Sequence, residues 1–221
     1  MQLSAIMPST ELTLYNAAVS PHARRVRIFL AEKGLTVRCI DVNLGLGEQH
    51  ESAYRAINPR RVVPTLVLAN GTAIGEVTAI WRYIEDRYPE RPLIGRSPEQ
   101  SALVTMWERR VELEGLLPAV EAVRNVVAGL FGRALAGPHD YAQIPALSIR
   151  SRKRVENFYA DIDARLANER YVAGDDYSAA DITCLVTIDF AARALGMSIH
   201  EDYPALRRWH TAVSSRNSAT A

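Results

Sequence analysis

The spacing of hydrophobic and polar positions changes once along the chain. Up to residue 88, short β-branched runs alternate with helical periodicity: LTLY at 12–15, a helix opening at Pro21, TVRCIDV at 36–42, the irregular GEQHESAYRAI, then TLVLA and TAI around Asn70-Gly71. That order predicts β-α-β-α-β-β-α, with Asn-Gly as a hairpin turn and a helix from Glu76 to Tyr88 stopped by Pro89. Pro89, Pro92, Gly95 and Pro98 interrupt any regular element and read as a linker. Everything beyond reads as helix. Leu103, Met106, Trp107, Arg110, Leu113, Glu114 and Leu117 recur at helical spacing, as do Val155, Phe158, Tyr159, Ile162 and Leu166. ITCLVTIDFAA, at 182–192, is apolar nearly all round and predicts the central helix of a bundle. Its opening, YSAADI, offers Ser178 and Asp181 as a capping box and Tyr177 as a staple on Ile182, a structural device. Asp189 inside the run reads as a buried acid with a local partner. The expected organisation is a domain at 10–88, a linker at 89–97 and a helical domain at 98–221.

Composition narrows the function classes. A chain of 221 residues with 48% hydrophobic residues fills an ordinary core. Its net charge of +1 advertises neither nucleic acid nor a membrane as partner, and a small molecule fits better. Cys39 and Cys184 lie far apart in apolar runs and read as two buried structural thiols of a reducing compartment. MQLSAIMPST has no basic segment followed by a long apolar core, so the expected location is cytoplasmic. The five histidines are scattered without zinc-site spacing, and no metal is expected. The chain has no CxxC, no GxGxxG after a strand, no P-loop and no G-x-S-x-G.

What remains is three short segments in the first half. Ser20-Pro21 opens a helix whose unpaired N–H groups and dipole suit an anion such as a thiolate. A thiol with an ordinary pKa of about 8.5 becomes mostly nucleophilic at neutral pH if lowered by about two units, which needs about 2.7 kcal/mol. The plainer reading makes Ser20 the helix cap. Val63-Pro64 stands before a strand, where a cis peptide would turn the main chain of Val63 toward an extended peptide. A proline there is also ordinary punctuation. Glu76 and Val77 begin another helix, where backbone N–H groups receive a carboxylate and the Glu76 carboxylate meets an ammonium group. An acid in a first turn also simply complements the dipole. Together the three ask for a thiol, a peptide unit and a zwitterionic end, and glutathione has all three.

LYNAAVSPHARRVRIFLAEKG, NPRRVVPTL, GEVTAIWRYIE and YVAGDDYSAADIT, in that order, strongly resemble the cytosolic glutathione S-transferases across nearly the whole chain. WERRVELEGLLPAVEAVRN with the last of these is similar to a bacterial and fungal subgroup related to a yeast transferase. The resemblance implies an α/β thioredoxin-like N-terminal domain, an all-α C-terminal domain, a homodimer, and glutathione as cosubstrate. It places Ser20 where serine-type members keep the thiol-activating hydroxyl, Val63 and Pro64 at the cis-proline dipeptide, and Glu76 at the acidic position of a Glu-Ser pair. Val77 replaces that serine and removes a hydroxyl donor. Gln49 falls where a histidine often holds the glycine carboxylate, with His50 one residue late. Tyr15, where tyrosine-type members keep theirs, reads as a core residue. Met106, Trp107, Arg110 and Glu114 are expected to wall the pocket for an electrophilic small molecule. The expected reaction is attack of the glutathione thiolate on an electrophilic carbon or peroxide, a detoxification chemistry. The alternatives are a weak glutathione-binding or regulatory module and a glutathione-dependent disulfide reductase.

Overall fold

The computed structural model describes residues 8–221. The chain forms two compact units, one running to Pro92 and taking in Thr220–Ala221, the other Leu93–Ala219. The first carries β1 (Pro8–Asn16), α1 (Pro21–Lys33), β2 (Thr36–Asp41), α2 (Ser52–Ile57), β3 (Thr65–Val67), β4 (Ala73–Ile74) and α3 (Val77–Arg87), in the predicted order. The sheet order is β2-β1-β3-β4, with β1 parallel to β2 and antiparallel to β3, and β3 antiparallel to β4. β4 therefore runs parallel to β1.

Helices α1 and α3 are bound to each other by large side chains. Phe29 stacks on Trp81 at 5.2 Å, and the Arg25 guanidinium lies 4.9 Å from the same ring. Farther along, Lys33 Nζ meets Glu85 Oε2 at 2.5 Å and donates to the Tyr88 carbonyl at 2.8 Å. Gly34 ends α1 at φ 71°, with Arg91 so close that a Cβ would come within 2.8 Å of its guanidinium. The positive φ is what calls for glycine, since the Arg91 guanidinium at the end of a flexible side chain can shift.

One expectation fails here. Cys39 is exposed, whereas Cys184 is buried. β2 is an edge strand with four of its six residues exposed, so the apolar run around Cys39 is only half covered.

The second unit holds α4 (Pro98–Val111), α5 (Leu117–Arg124), α6 (Pro145–Leu166), α7 (Ala179–Leu195) and α8 (Pro204–Ser214). A π-helical turn, Glu112–Leu116, joins α4 to α5. Its cause is Pro118, which has no N–H for the carbonyl ladder behind it. The Leu117 N–H bonds Glu112 O, and the freed carbonyl of Leu113 accepts from Arg154 at 2.7 Å. Across the turn the buried face of the helix is Val104, Glu108, Val111 and Leu116, while Leu103, Met106, Leu113 and Leu117 are exposed. The apolar stripe expected on α4 is thus displaced. On α6 the stripe from Val155 to Leu166 is buried as predicted.

Helix α7 is the buried central helix. Ser178 and Asp181 form the capping box, and Asp181 also accepts from Val172 N at 2.9 Å and Trp209 Nε1 at 2.8 Å. Asp189 is only half-buried rather than buried, and it meets His210 of α8 at 2.8 Å.

Candidate functional site

Sheet register brings the three segments together. Tyr15 pairs with Thr65 and Leu66 with Ile74, so the end of β1, the start of β3 and the end of β4 share one edge of the sheet. Ser20, Val63-Pro64 and Glu76-Val77 follow or precede those strand ends by at most five residues, and β2, whose carboxyl end lies at the same edge, is followed by the short turn that carries Gln49 and His50. Ala17, Val42, Tyr54 and Val63 pack there as one apolar cluster, with Tyr15 and Leu44 against it.

Ser20 caps α1. It is buried, its Oγ accepts from Ala23 N at 3.3 Å, and its own N–H donates to Ala17 O at 3.0 Å. This cap uses a lone pair and leaves the hydroxyl hydrogen to be donated elsewhere. The arginines behind it serve the fold: Arg25 covers Trp81, and Arg27 donates to Asn16 Oδ1 at 2.5 Å, while Asn16 Nδ2 donates to Asp41 Oδ1 at 2.7 Å. Tyr15 is half-buried, edge-on to Tyr54 at 5.7 Å.

The Val63-Pro64 peptide is cis. The hydrogen bonds that surround it are not among the expectations drawn from the sequence. Tyr54 Oη donates to the Val62 carbonyl at 2.6 Å, and Asn58 Nδ2 donates to the same carbonyl at 3.0 Å and to Thr65 Oγ1 at 2.8 Å. Burial raises the Tyr54 pKa, keeping this phenol protonated as a donor. The visible signal was Tyr54 and Asn58-Pro59 ahead of a proline-led strand, polar residues that a strand start does not require. Arg61, in the same loop, takes φ 56° with a buried Nε lacking a partner.

Glu76 is the N-cap residue of α3, and the helix begins one residue later than predicted. Its φ of 60° with ψ 127° is outside the regions that glutamate ordinarily adopts, a strain of order 1–3 kcal/mol. Its side chain makes no capping bond, so neither capping nor a place in the first turn explains it. Val77 is buried. Gln49 is 8% exposed and its Oε1 has no partner, whereas His50 is half-buried. Unsatisfied buried acceptors are rare enough to mark a position where a ligand donor fits.

In the second unit, Trp107, Arg110 and Glu114 line a pocket of about 310 Å³ with Val111, Phe158, Asp161 and Ile162. Met106 stands outside that lining, because residues 107, 110, 111 and 114 share one helical face and 106 begins the next. The guanidinium groups of Arg110 and Arg165 lie 5.0 and 4.5 Å from the centroid of the Trp107 ring.

The chain matches family models described as glutathione S-transferase, N-terminal domain, over residues 14–92, and glutathione S-transferase, C-terminal domain, over 140–217. Glutathione S-transferase 2 of Saccharomyces cerevisiae is 33% identical over 211 residues, covering 94% of this chain and 88% of that protein. The chain belongs to the glutathione S-transferase family. The crystal structure of Gtt2 from the same yeast superposes with a TM-score of 0.86 at 32% identity, over 94% of this transferase and 98% of that chain. Among more distant relatives, the disulfide-bond oxidoreductase YfcG of Escherichia coli is 25% identical over 90% of this chain and 88% of its own. The thioredoxin-like and all-helical halves are those of the family.

Proposed function

We propose that this transferase binds glutathione at the shared sheet edge and delivers it, as thiolate, to an electrophilic carbon or a peroxide. The observation that carries this reading is the convergence of two helix N-termini with the main chain of a cis Val63-Pro64 segment lying beyond the sheet ladder. An extended tripeptide fits such a corner. Its cysteine amide pairs with Val63, its thiol lies over the start of α1 near Ser20, and its γ-glutamyl carboxylate meets the N–H groups at Val77. The Glu76 carboxylate takes the ammonium group, and Gln49, with His50 beside it, takes the glycine end. Trp107, Arg110 and Glu114 receive the electrophile. The mechanism is activation and positioning of a nucleophile without a covalent enzyme intermediate. The working form is a cytoplasmic homodimer in which the first domain of one chain meets the second domain of the other, and its service is detoxification.

A disulfide reductase working through a protein thiol fits less well. Partial desolvation, then the Asp41 carboxylate, raises the Cys39 pKa, and burial raises that of Cys184 well above its ordinary value. Neither favours a thiolate.

Titration calorimetry with glutathione, paired with turnover of an aryl halide, tests the proposal. Binding is expected for the native chain and at least about tenfold weaker binding for Glu76→Ala, as a lost charged bond implies. No heat at millimolar glutathione overturns the site, and binding without turnover of aryl halide or peroxide leaves a binding module instead.

A further inference from the structure

The segment from the end of α5 to the first turns of α6 belongs to no part of the proposed site, and it exposes an unusual surface. Phe131 is 82% exposed and Ile149 is 74% exposed, with Val126, Leu135 and Ile144 each more than half exposed. Single exposed apolar residues need no explanation, but this group is gathered by the backbone. The Tyr141 N–H donates to Gly132 O and the Ala134 N–H to Tyr141 O, closing the loop on itself. Gln143 Nε2 donates to the carbonyls of Arg124 and Val127, Ile144 N to Asn125 Oδ1, and Ser148 Oγ to Ala122 O. The loop is thereby tied to the end of α5 and the start of α6.

Charge is concentrated in the same place. From 124 to 154 the chain has Arg124, Arg133, Arg150, Arg152, Lys153 and Arg154 against Asp140, a local charge of +5 in a protein whose total is +1. Arg150 and Lys153 pair with the flanking Glu121 and Glu156 at 3.6 and 3.0 Å, and counting those two acids still leaves +3. Arg150, Arg152, Lys153 and Arg154 stand on the second and third turns of α6, Arg152 donating to Leu195 O and Arg154 to Leu113 O, and they make up the basic collar behind Ile144 and Ile149 in the chain. The overall charge conceals this asymmetry.

We infer that this tip docks on an anionic lipid surface, the apolar side chains entering the headgroup region while the basic collar lies against the phosphates. An apolar insertion and a basic patch are the two signals that together give stable peripheral attachment. A second copy of the chain is the weaker occupant. A two-fold interface would set the same positive collar against itself, and like charges repel.

Sedimentation of the full-length protein with vesicles tests the inference. Vesicles with about one third phosphatidylserine in phosphatidylcholine bind the protein at about 0.1 M salt, pure phosphatidylcholine does not, and about 0.5 M salt releases it. Phe131→Asp and the double variant Arg152→Gln/Lys153→Gln each weaken the binding at least about tenfold, with unchanged thermal unfolding and glutathione turnover. Absence of native binding to the anionic vesicles overturns the inference, as does binding that neither variant alters. So does a fall in oligomeric state on Phe131→Asp, which would make the tip an interface between copies. Because glutathione turnover is read separately, these outcomes are independent of the proposed function.

Discussion

Ser20 accepts one hydrogen bond and has one hydrogen left to give, so its two roles separate by measurement. If that hydrogen points at a bound thiolate, Ser20→Ala raises the thiol pKa by about one to two units, the equivalent of the roughly 1.5–3 kcal/mol of a bond to a charged group. Capping alone costs about 1 kcal/mol of stability and leaves the thiol where it was. Thiolate absorbance titrated against pH, alongside thermal unfolding, tells the two apart. Val77 allows a test in the opposite direction. Val77→Ser supplies a donor at the α3 N-terminus and is expected to tighten glutathione binding by up to about tenfold in calorimetry. Because Val77 is buried, the same change lowers the unfolding midpoint by removing apolar surface from the core. Unchanged or weaker affinity would place the γ-glutamyl carboxylate elsewhere.

Elements were more legible than their faces. The periodicity of α6 and α7 and the hairpin between β3 and β4 stand where the pattern put them, because local propensity and burial agree there. The face of α4 was misread because Val104, Glu108 and Val111 repeat at helical spacing ahead of the π turn and one of them is charged, a face that a count of apolar residues passes over. Gly115 belongs to that turn, and its neighbour is the ring of Phe158, 2.8 Å from where a Cβ would stand. Gly115→Ala therefore costs about 1–3 kcal/mol of stability by denaturant unfolding, despite alanine's better helix propensity. The capping box of α7 carries a pH signature. Burial, against four hydrogen bonds, pushes the Asp181 carboxyl up to about 6 from its usual 3.8. The folded chain then holds that proton more tightly than the unfolded chain does. This group's contribution to stability falls as pH rises from about 4 to about 6. Asp181→Asn removes the titration, so its stability deficit relative to the native chain is expected to grow from pH 7 toward pH 4.5. A deficit that shrinks would mean that the four donors outweigh burial.

At the scale of the whole molecule, the proposed homodimer predicts a sedimenting species of twice 24.5 kDa at micromolar concentration, and a lone monomer there would refute it. Fold and family were readable because motifs recur in order along nearly the entire chain, whereas the network of Tyr54, Asn58 and Thr65 was not. Hydrogen bonds between loop and strand leave no period in a sequence. The pair α1 and α3 shows what such hidden contacts achieve. Both helices begin at the proposed site, and both are clamped farther along by the Phe29-Trp81 stack and by Lys33 on Glu85 and Tyr88 O. They act as the two jaws of a calliper with its pivot at the far end. The gap between Ser20 and Val77 is then set by residues that no ligand reaches. A fault at Lys33 would loosen the grip on the thiol and on the γ-glutamyl end at once.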